Sequence, residues 1–178
     1  MNSPIETELI KPFQVERKTY QKGQLLEASG VFSKYLYYIN AGACKQYRIN
    51  KQGDSVIFRL MSEGAFCAAA YSLITGNKSF DFIECCEDSD ITVYNYHMIL
   101  AQYDNNIALS NLSRRIVEQY FIEEQERAIT LANFSPTARY DKFCQEKGTF
   151  LQRFNLGDIA SYLGMRRETL SRIRSKRF

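Results

Sequence analysis

The chain changes its hydrophobic rhythm partway along. From Glu16 to about Tyr96, Tyr-, Phe-, Ile- and Val-rich runs are short and broken at fairly even intervals by Lys22-Gly23, Ser29-Gly30, Ala41-Gly42, Gly53-Asp54, Glu63-Gly64 and Gly76-Asn77. Val56, Phe58 and Leu60 alternate with Ile57 and Arg59, the two-residue period of a strand with one face buried more deeply. Asn50-Lys51-Gln52-Gly53-Asp54 between two such runs is a hairpin signal. Phe80–Cys85 and Ile91–Tyr96 make two further strands, split by the acidic turn Glu87-Asp88-Ser89-Asp90. Many short strands at this spacing predict a small sandwich, barrel or jelly roll. Residues 1–15 form a lead-in with a short helix.

Beyond His97 the period becomes helical. No Gly or Pro falls between Asp104 and about Leu131, and Leu109, Leu112, Ile116 and Tyr120 recur three and four apart, with Ala128 and Leu131 resuming the stripe. A helix of this span is about 42 Å long, more than a small domain needs. It therefore spans two domains, pairs with a copy of itself along the stripe, or lies on its own β domain. Ser135-Pro136 fits an N-cap and first helical position, opening a helix over Thr137–Gln145. Gly148 breaks the chain, Phe150–Phe154 reads as a short strand, and Asn155 with Asp158 caps the next helix in the manner of a capping box.

The last two dozen residues carry the clearest pattern. Ile159, Ala160 and Leu163 share one helical face, Gly164 permits a tight turn, and Leu170 and Ile173 restart an apolar stripe. Opposite that stripe Arg167, Glu168, Ser171 and Arg172 stack on one face. Two short helices joined by a Gly-containing turn, the second one basic, read as a helix-turn-helix whose second helix enters a DNA major groove. The fold class is α+β, divided as a β-rich domain over 1–103, a long helix over 104–132 and a helix-turn-helix domain over 133–178.

Charge sharpens this division. The net charge is only +3, but residues 132–178 hold ten Lys/Arg against four Asp/Glu, while residues 1–131 hold thirteen against sixteen. A basic end on a mildly acidic body predicts that the end meets a polyanion. The five cysteines, Cys44, Cys67, Cys85, Cys86 and Cys144, have no metal-ligand spacing and read as reduced, small buried hydrophobes, with oxidation at the adjacent Cys85 and Cys86 as the alternative. With no apolar leader and no apolar run near eighteen residues, the chain is expected to be cytoplasmic, with no membrane partner. One histidine, no Gly-rich phosphate loop and no nucleophile–base motif argue against an enzyme.

The order of β-roll, long helix and helix-turn-helix resembles the cyclic-AMP receptor protein and fumarate-nitrate regulator (Crp/Fnr) family of bacterial transcription factors. The residues that carry it are Ile159-Ala160-Ser161-Tyr162-Leu163-Gly164 followed by Glu168-Thr169-Leu170-Ser171-Arg172. More loosely, Tyr37-Tyr38-Ile39-Asn40-Ala41-Gly42, within the Gly-punctuated stretch Tyr20–Gly64, resembles the family's cyclic-nucleotide-binding-type roll. The resemblance implies a homodimeric regulator of transcription on palindromic operators. Its partners would be double-stranded DNA, a second copy along Leu109, Leu112, Ile116 and Tyr120, and RNA polymerase.

It puts base reading on Arg167, Glu168 and Arg172, chemistry that suits guanine O6/N7 and cytosine N4. Arg166, Thr169, Ser171, Arg174, Lys176 and Arg177 would contact phosphates or base edges. Relatives usually continue into a β-hairpin wing where this sequence stops at Phe178.

The effector pocket would be lined by Phe66, Ala68, Lys78 and Ser79. Ala68 stands where cyclic-AMP binders carry a ribose-binding Glu, and Lys78 where they carry a phosphate-clamping Arg, so the sequence argues against cyclic AMP and leaves the effector unidentified. No cofactor is expected: no cysteine precedes Cys44 for an iron–sulfur cluster, and haem would rest on the lone His97. The competing reading is a ligand- or protein-binding scaffold whose C-terminal helices serve as an interaction module.

Overall fold

The computed structural model describes residues 8–176. Arg177 and residues 1–7 of the lead-in lie outside the described residues. Eight strands form two four-stranded antiparallel sheets: β1 (Gln14–Tyr20), β8 (Ser89–Asn95), β3 (Tyr35–Ala41) and β6 (Phe66–Cys67) in one, β2 (Leu25–Glu27), β7 (Phe82–Cys85), β4 (Cys44–Ile49) and β5 (Ser55–Met61) in the other. Between them lies a core of Tyr37, Ile39, Cys44, Met61, Cys67, Ile83, Cys85, Ile91 and Val93. This is the jelly-roll-like domain expected from the many short strands, but along β5 the buried residues are Ile57, Leu60 and Met61 while Val56 is exposed, the β4–β5 register shifting at Gln46/Tyr47. Gly53 closes the β4–β5 hairpin at φ +88°, its N–H donating to Asn50 O at 3.1 Å. At Gly42 a Cβ would lie 2.7 Å from the Ser89 backbone, so no larger residue fits.

Two short helices interrupt what the sequence pattern reads as loop and strand: α1 (Ala70–Thr75) and α2 (Tyr96–Leu100), the latter capped by the Asn95 side chain accepting from Met98 N at 3.2 Å. His97 sits exposed on α2 rather than at a strand end. The long helix α3 runs Ile107–Asn133, 27 residues, and begins later than Asp104 because Asn106 Oδ1 caps Leu109 N at 3.0 Å. After it come α4 (Pro136–Lys147), α5 (Phe150–Arg153), α6 (Leu156–Tyr162) and α7 (Arg167–Ser175). Ser135 and Asn155 are N-caps as expected, accepting from Ala138 N at 3.2 Å and Asp158 N at 2.8 Å. Phe150–Arg153 is a helical turn, not a strand. Phe150 and Phe154 lie one helical turn apart, and their rings meet at 5.0 Å.

The stripe Leu109–Tyr120 has a different destination from the one expected. Leu109 and Leu112 are fully buried in their own chain, packed with Ile10, Phe66, Tyr94 and Ile99, and Ile116 lies against the same cluster. Tyr120 stacks under Arg59, whose guanidinium carbon is 4.7 Å from the ring centre. Leu109 and Leu112 thus fasten α3 to the β-roll, with Ile116 and Tyr120 half-buried against it. The roll carries apolar side chains on this flank, and α3 covers them with its own apolar stripe.

The helix-turn-helix does not bury its core by itself. Tyr140, Phe143, Phe154, Ile159, Ala160, Leu163 and Leu170 close around Ala43, Ile57 and Leu60 of the roll. Burying side chains the size of Ile57 and Leu60 is worth roughly 1.5–3 kcal/mol each, against about 0.2–1 kcal/mol for an exposed ion pair. The apolar seam therefore holds the domain in place, and the polar contacts around it set the angle.

Candidate nucleic-acid interface

Helix α7 presents its two faces as its sequence demands. Leu170 is fully buried and Ile173 half-buried, while Arg167, Glu168, Ser171 and Arg172 are exposed together on the opposite side. Arg166 and Lys176 flank them in the open; Thr169 and Arg174 are half-buried. Among the described residues none of these five basic side chains lies in an ion pair, so their donors are free for an external acceptor. The turn before α7 is tight: Gly164 has φ +64°, and its N–H donates to Ser161 O at 3.0 Å.

Several residues aim this helix through contacts that no sequence pattern discloses. β5 is the edge of its sheet, and an edge strand carries unpaired N–H and C=O groups. Here α6 covers them. Ile57 N donates to Ser161 Oγ at 3.0 Å, and that hydroxyl donates to Ser55 O at 2.9 Å. Arg127 on α3 completes the cover by donating to Ile57 O at 3.1 Å and Tyr162 O at 3.4 Å. Arg139 bridges the end of α3 to the turn, reaching Leu131 O at 3.1 Å and Gly164 O at 3.2 Å. Lys45 on β4 meets Asp158 at 3.2 Å and Glu84 at 3.4 Å. Each is a single polar residue whose partner lies far off in sequence, so only the folded chain reveals it.

Of the residues expected to line an effector pocket, Ala68 and Ser79 come to one hydrogen-bond network through Gln46 and Asp81, while Phe66 and Lys78 have other neighbours. Phe66 is buried against Tyr38, rings 4.8 Å apart, in the cluster under α3. Lys78 is exposed, its ammonium 5.9 Å from the Phe32 ring. Ser79 is buried and turned onto Asp81 N at 2.9 Å, and Ala68 gives its carbonyl to Gln46 Nε2 at 3.1 Å. This donor set does not fit a cyclic nucleotide: Ala68 has no side-chain acceptor for a ribose, and Lys78 offers an exposed point charge where a planar guanidinium is needed.

Cys85 ends β7 and Cys86 lies just beyond it, and the two side chains enter different clusters. Cys85 lies in the roll core with Cys44 Sγ 3.8 Å away, whereas Cys86 packs under the helix-turn-helix, where burial pushes its thiol up to about 12. Both are free thiols. Among the described residues no group of three or more His, Cys, Asp or Glu side chains is placed to hold a metal, and no helix is long and apolar enough to cross a membrane.

A roll fastened by one long helix to a helix-turn-helix with an unpaired basic face defines a class of two-part proteins, a sensor-type domain coupled to a nucleic-acid reader. The comparisons agree. The cyclic nucleotide-binding domain family matches residues 17–106. The chain is 29% identical over 181 residues to the fumarate and nitrate reduction regulatory protein of Vibrio cholerae, covering 94% of this chain and 72% of that one. It is 25% identical to electron transport regulator A of Shewanella oneidensis, covering 88% and 66%. Among solved structures, FixK2 from Bradyrhizobium japonicum superposes with a TM-score of 0.80 at 16% identity over 90% of this chain and 83% of that one. The c-di-GMP responsive regulator CLP from Xanthomonas campestris gives 0.75 at 15% identity over 98% and 91%. The chain belongs to the cyclic nucleotide-binding domain family, in its Crp/Fnr branch of regulators.

Proposed function

We propose that this chain is a sequence-specific DNA-binding regulator of transcription, working as a homodimer on palindromic operators. The observation that carries the reading is the face of α7, where Arg167, Glu168 and Arg172 stand exposed together and, among the described residues, neither arginine is ion-paired to a carboxylate. Arginines bidentate to guanine and a glutamate accepting from cytosine would each discriminate by roughly 1–3 kcal/mol. Arg166, Arg174 and Lys176 would add phosphate contacts, which contribute affinity and salt dependence without sequence information.

The second copy in this reading meets α3 on the side away from the roll. Val117, Phe121, Ile122 and Ile129 are 58, 61, 52 and 53% exposed there, too much apolar surface on one helical arc for a monomer. Pairing along that arc would set the two α7 helices about 34 Å apart, one turn of DNA. A ligand or protein that acts through the roll would do so by favouring one setting of α6 on β5 over another. RNA polymerase is the partner such a regulator addresses, the compartment is the cytoplasm, and no enzymatic step or cofactor belongs to the reading.

Selection of binding sites from random duplexes by the purified chain tests it. A two-fold symmetric motif, held more tightly than random DNA at physiological salt, is the expected result. Recovery of no motif would sink the reading in favour of a scaffold role for the C-terminal helices.

A further inference from the structure

The stretch where the family holds a cyclic phosphate carries a charge of its own here. Asp81 follows Ser79 by two residues and is buried, its side chain 5% exposed. One carboxylate oxygen accepts from Arg48 Nε at 2.5 Å and the other from Gln46 Nε2 at 3.0 Å. Ser79 Oγ accepts from Asp81 N at 2.9 Å and donates to Asp81 O at 3.3 Å, while Gln46, itself buried, reaches on to the Ala68 carbonyl at 3.1 Å. Ser79 is thus tied to Asp81 directly, and Ala68 is tied to it through Gln46. The Arg48 guanidinium carbon lies 5.7 Å from the ring centres of both Phe58 and Phe80, and its side chain is half exposed.

An isolated buried carboxylate is costly and persists only when paired and hydrogen-bonded. Asp81 has a guanidinium and an amide for that purpose, a donor set of the kind that grips phosphate. Gln46 shows how firmly the arrangement is held. Both of its N–H groups face acceptors, so a flipped amide would set oxygen against oxygen, and its own carbonyl is left buried without a hydrogen-bond partner. Glu27 adds a second buried carboxylate to the same interior, hydrogen-bonded to Ser33 Oγ at 2.9 Å and close enough to feel the charge of Asp81.

We propose that Asp81 is a built-in substitute for an anionic ligand: it occupies the Arg48 and Gln46 donors and repels a second anion, so that the roll takes up no phosphate-bearing effector. The proposal concerns the roll alone and uses no property of the DNA-binding face.

The test titrates the full chain with cyclic AMP and with inorganic phosphate at constant ionic strength, following the melting temperature and the heat of binding. Wild type should respond to neither. Asp81→Ala should bind inorganic phosphate at least about tenfold more tightly than wild type, and the added change Arg48→Ala should abolish that gain. If Asp81→Ala does not fold, Asp81→Asn, which keeps the shape and removes the charge, must show the gain instead. Stabilisation of wild type by cyclic AMP overturns the proposal, and so does the absence of any gain in the folded Asp81 variant. DNA binding measured on the same samples keeps the two readings apart, since a wild type that binds both DNA and cyclic AMP defeats only this one.

Discussion

Arg153 grips Glu63 with both prongs of its guanidinium, Nη1 to Oε2 and Nη2 to Oε1, each at 2.7 Å. The same arginine reaches Glu87, with Nε 3.2 Å from Oε1. One residue of the short helix α5 thereby ties the reader domain to two separate turns of the roll, the one before β6 and the one before β8. Because fork-to-fork geometry is directional, this contact fixes an orientation as well as adding attraction.

Its loss should be visible in the pH dependence of stability. The hydrogen bonds from Arg153 hold the Glu63 carboxyl down at about 2, below its ordinary 4.5. A carboxylate depressed in the folded state contributes stability that is fully present above about 4.5 and disappears as pH falls toward 2. Glu63 is nearly half exposed, so solvent screening limits the contribution to roughly 1 kcal/mol or less. Urea midpoints of wild type should fall more steeply across that window than those of Arg153→Ala. Parallel profiles would mean that the clasp does not form in solution.

The two faces of α3 should separate by mutation. Leu112→Ala removes a fully buried side chain from the cluster under the helix and should cost about 2–5 kcal/mol in denaturant unfolding. Phe121→Glu alters an exposed residue on the opposite arc, so it should leave the folded monomer intact while sedimentation shows the dimer dissociating. A Phe121→Glu protein that still sediments as a dimer would move the interface elsewhere.

Arg167→Ala and Lys176→Ala should weaken DNA binding in different ways. Losing Arg167 should relax the preference at one position of each half-site by roughly 1–3 kcal/mol. Losing Lys176 should weaken all sequences alike and flatten the slope of log K against log salt by about 0.9 per phosphate no longer neutralised. Binding-site selection and salt titration read the two effects independently, and a preference unaltered in Arg167→Ala would remove that residue from base reading.

Gly164 should tolerate no side chain. Its φ of +64° costs an L-residue about 1–2 kcal/mol, and a Cβ there would stand 2.8 Å from Leu131 Cδ2 at the end of α3. Gly164→Ala should be destabilised by at least the backbone cost. Combining it with Leu131→Ala should cost less than the sum of the two single changes, because the steric part is shared. Strict additivity in thermal unfolding would mean that the turn and α3 do not touch.

The amino-acid sequence by itself determined whatever depends on near neighbours. The short strands, the turn glycines, the caps at Ser135 and Asn155 and the two-faced helix Arg167–Ser175 follow from periods and backbone preferences that act within a few residues. Tertiary structure alone decided where equal surfaces go. Leu109, Leu112, Ile116 and Tyr120 form a stripe that could face a partner or the home domain, and the choice is made by the roll's matching apolar flank, which brings Ile10, Phe66, Tyr94 and Ile99 against it. Likewise Arg153, Ser161 and Asp81 are ordinary polar residues in one dimension. They acquire roles because folding sets them against Glu63, the open edge of β5, and Arg48, and pairings over such separations leave no periodic trace in the sequence.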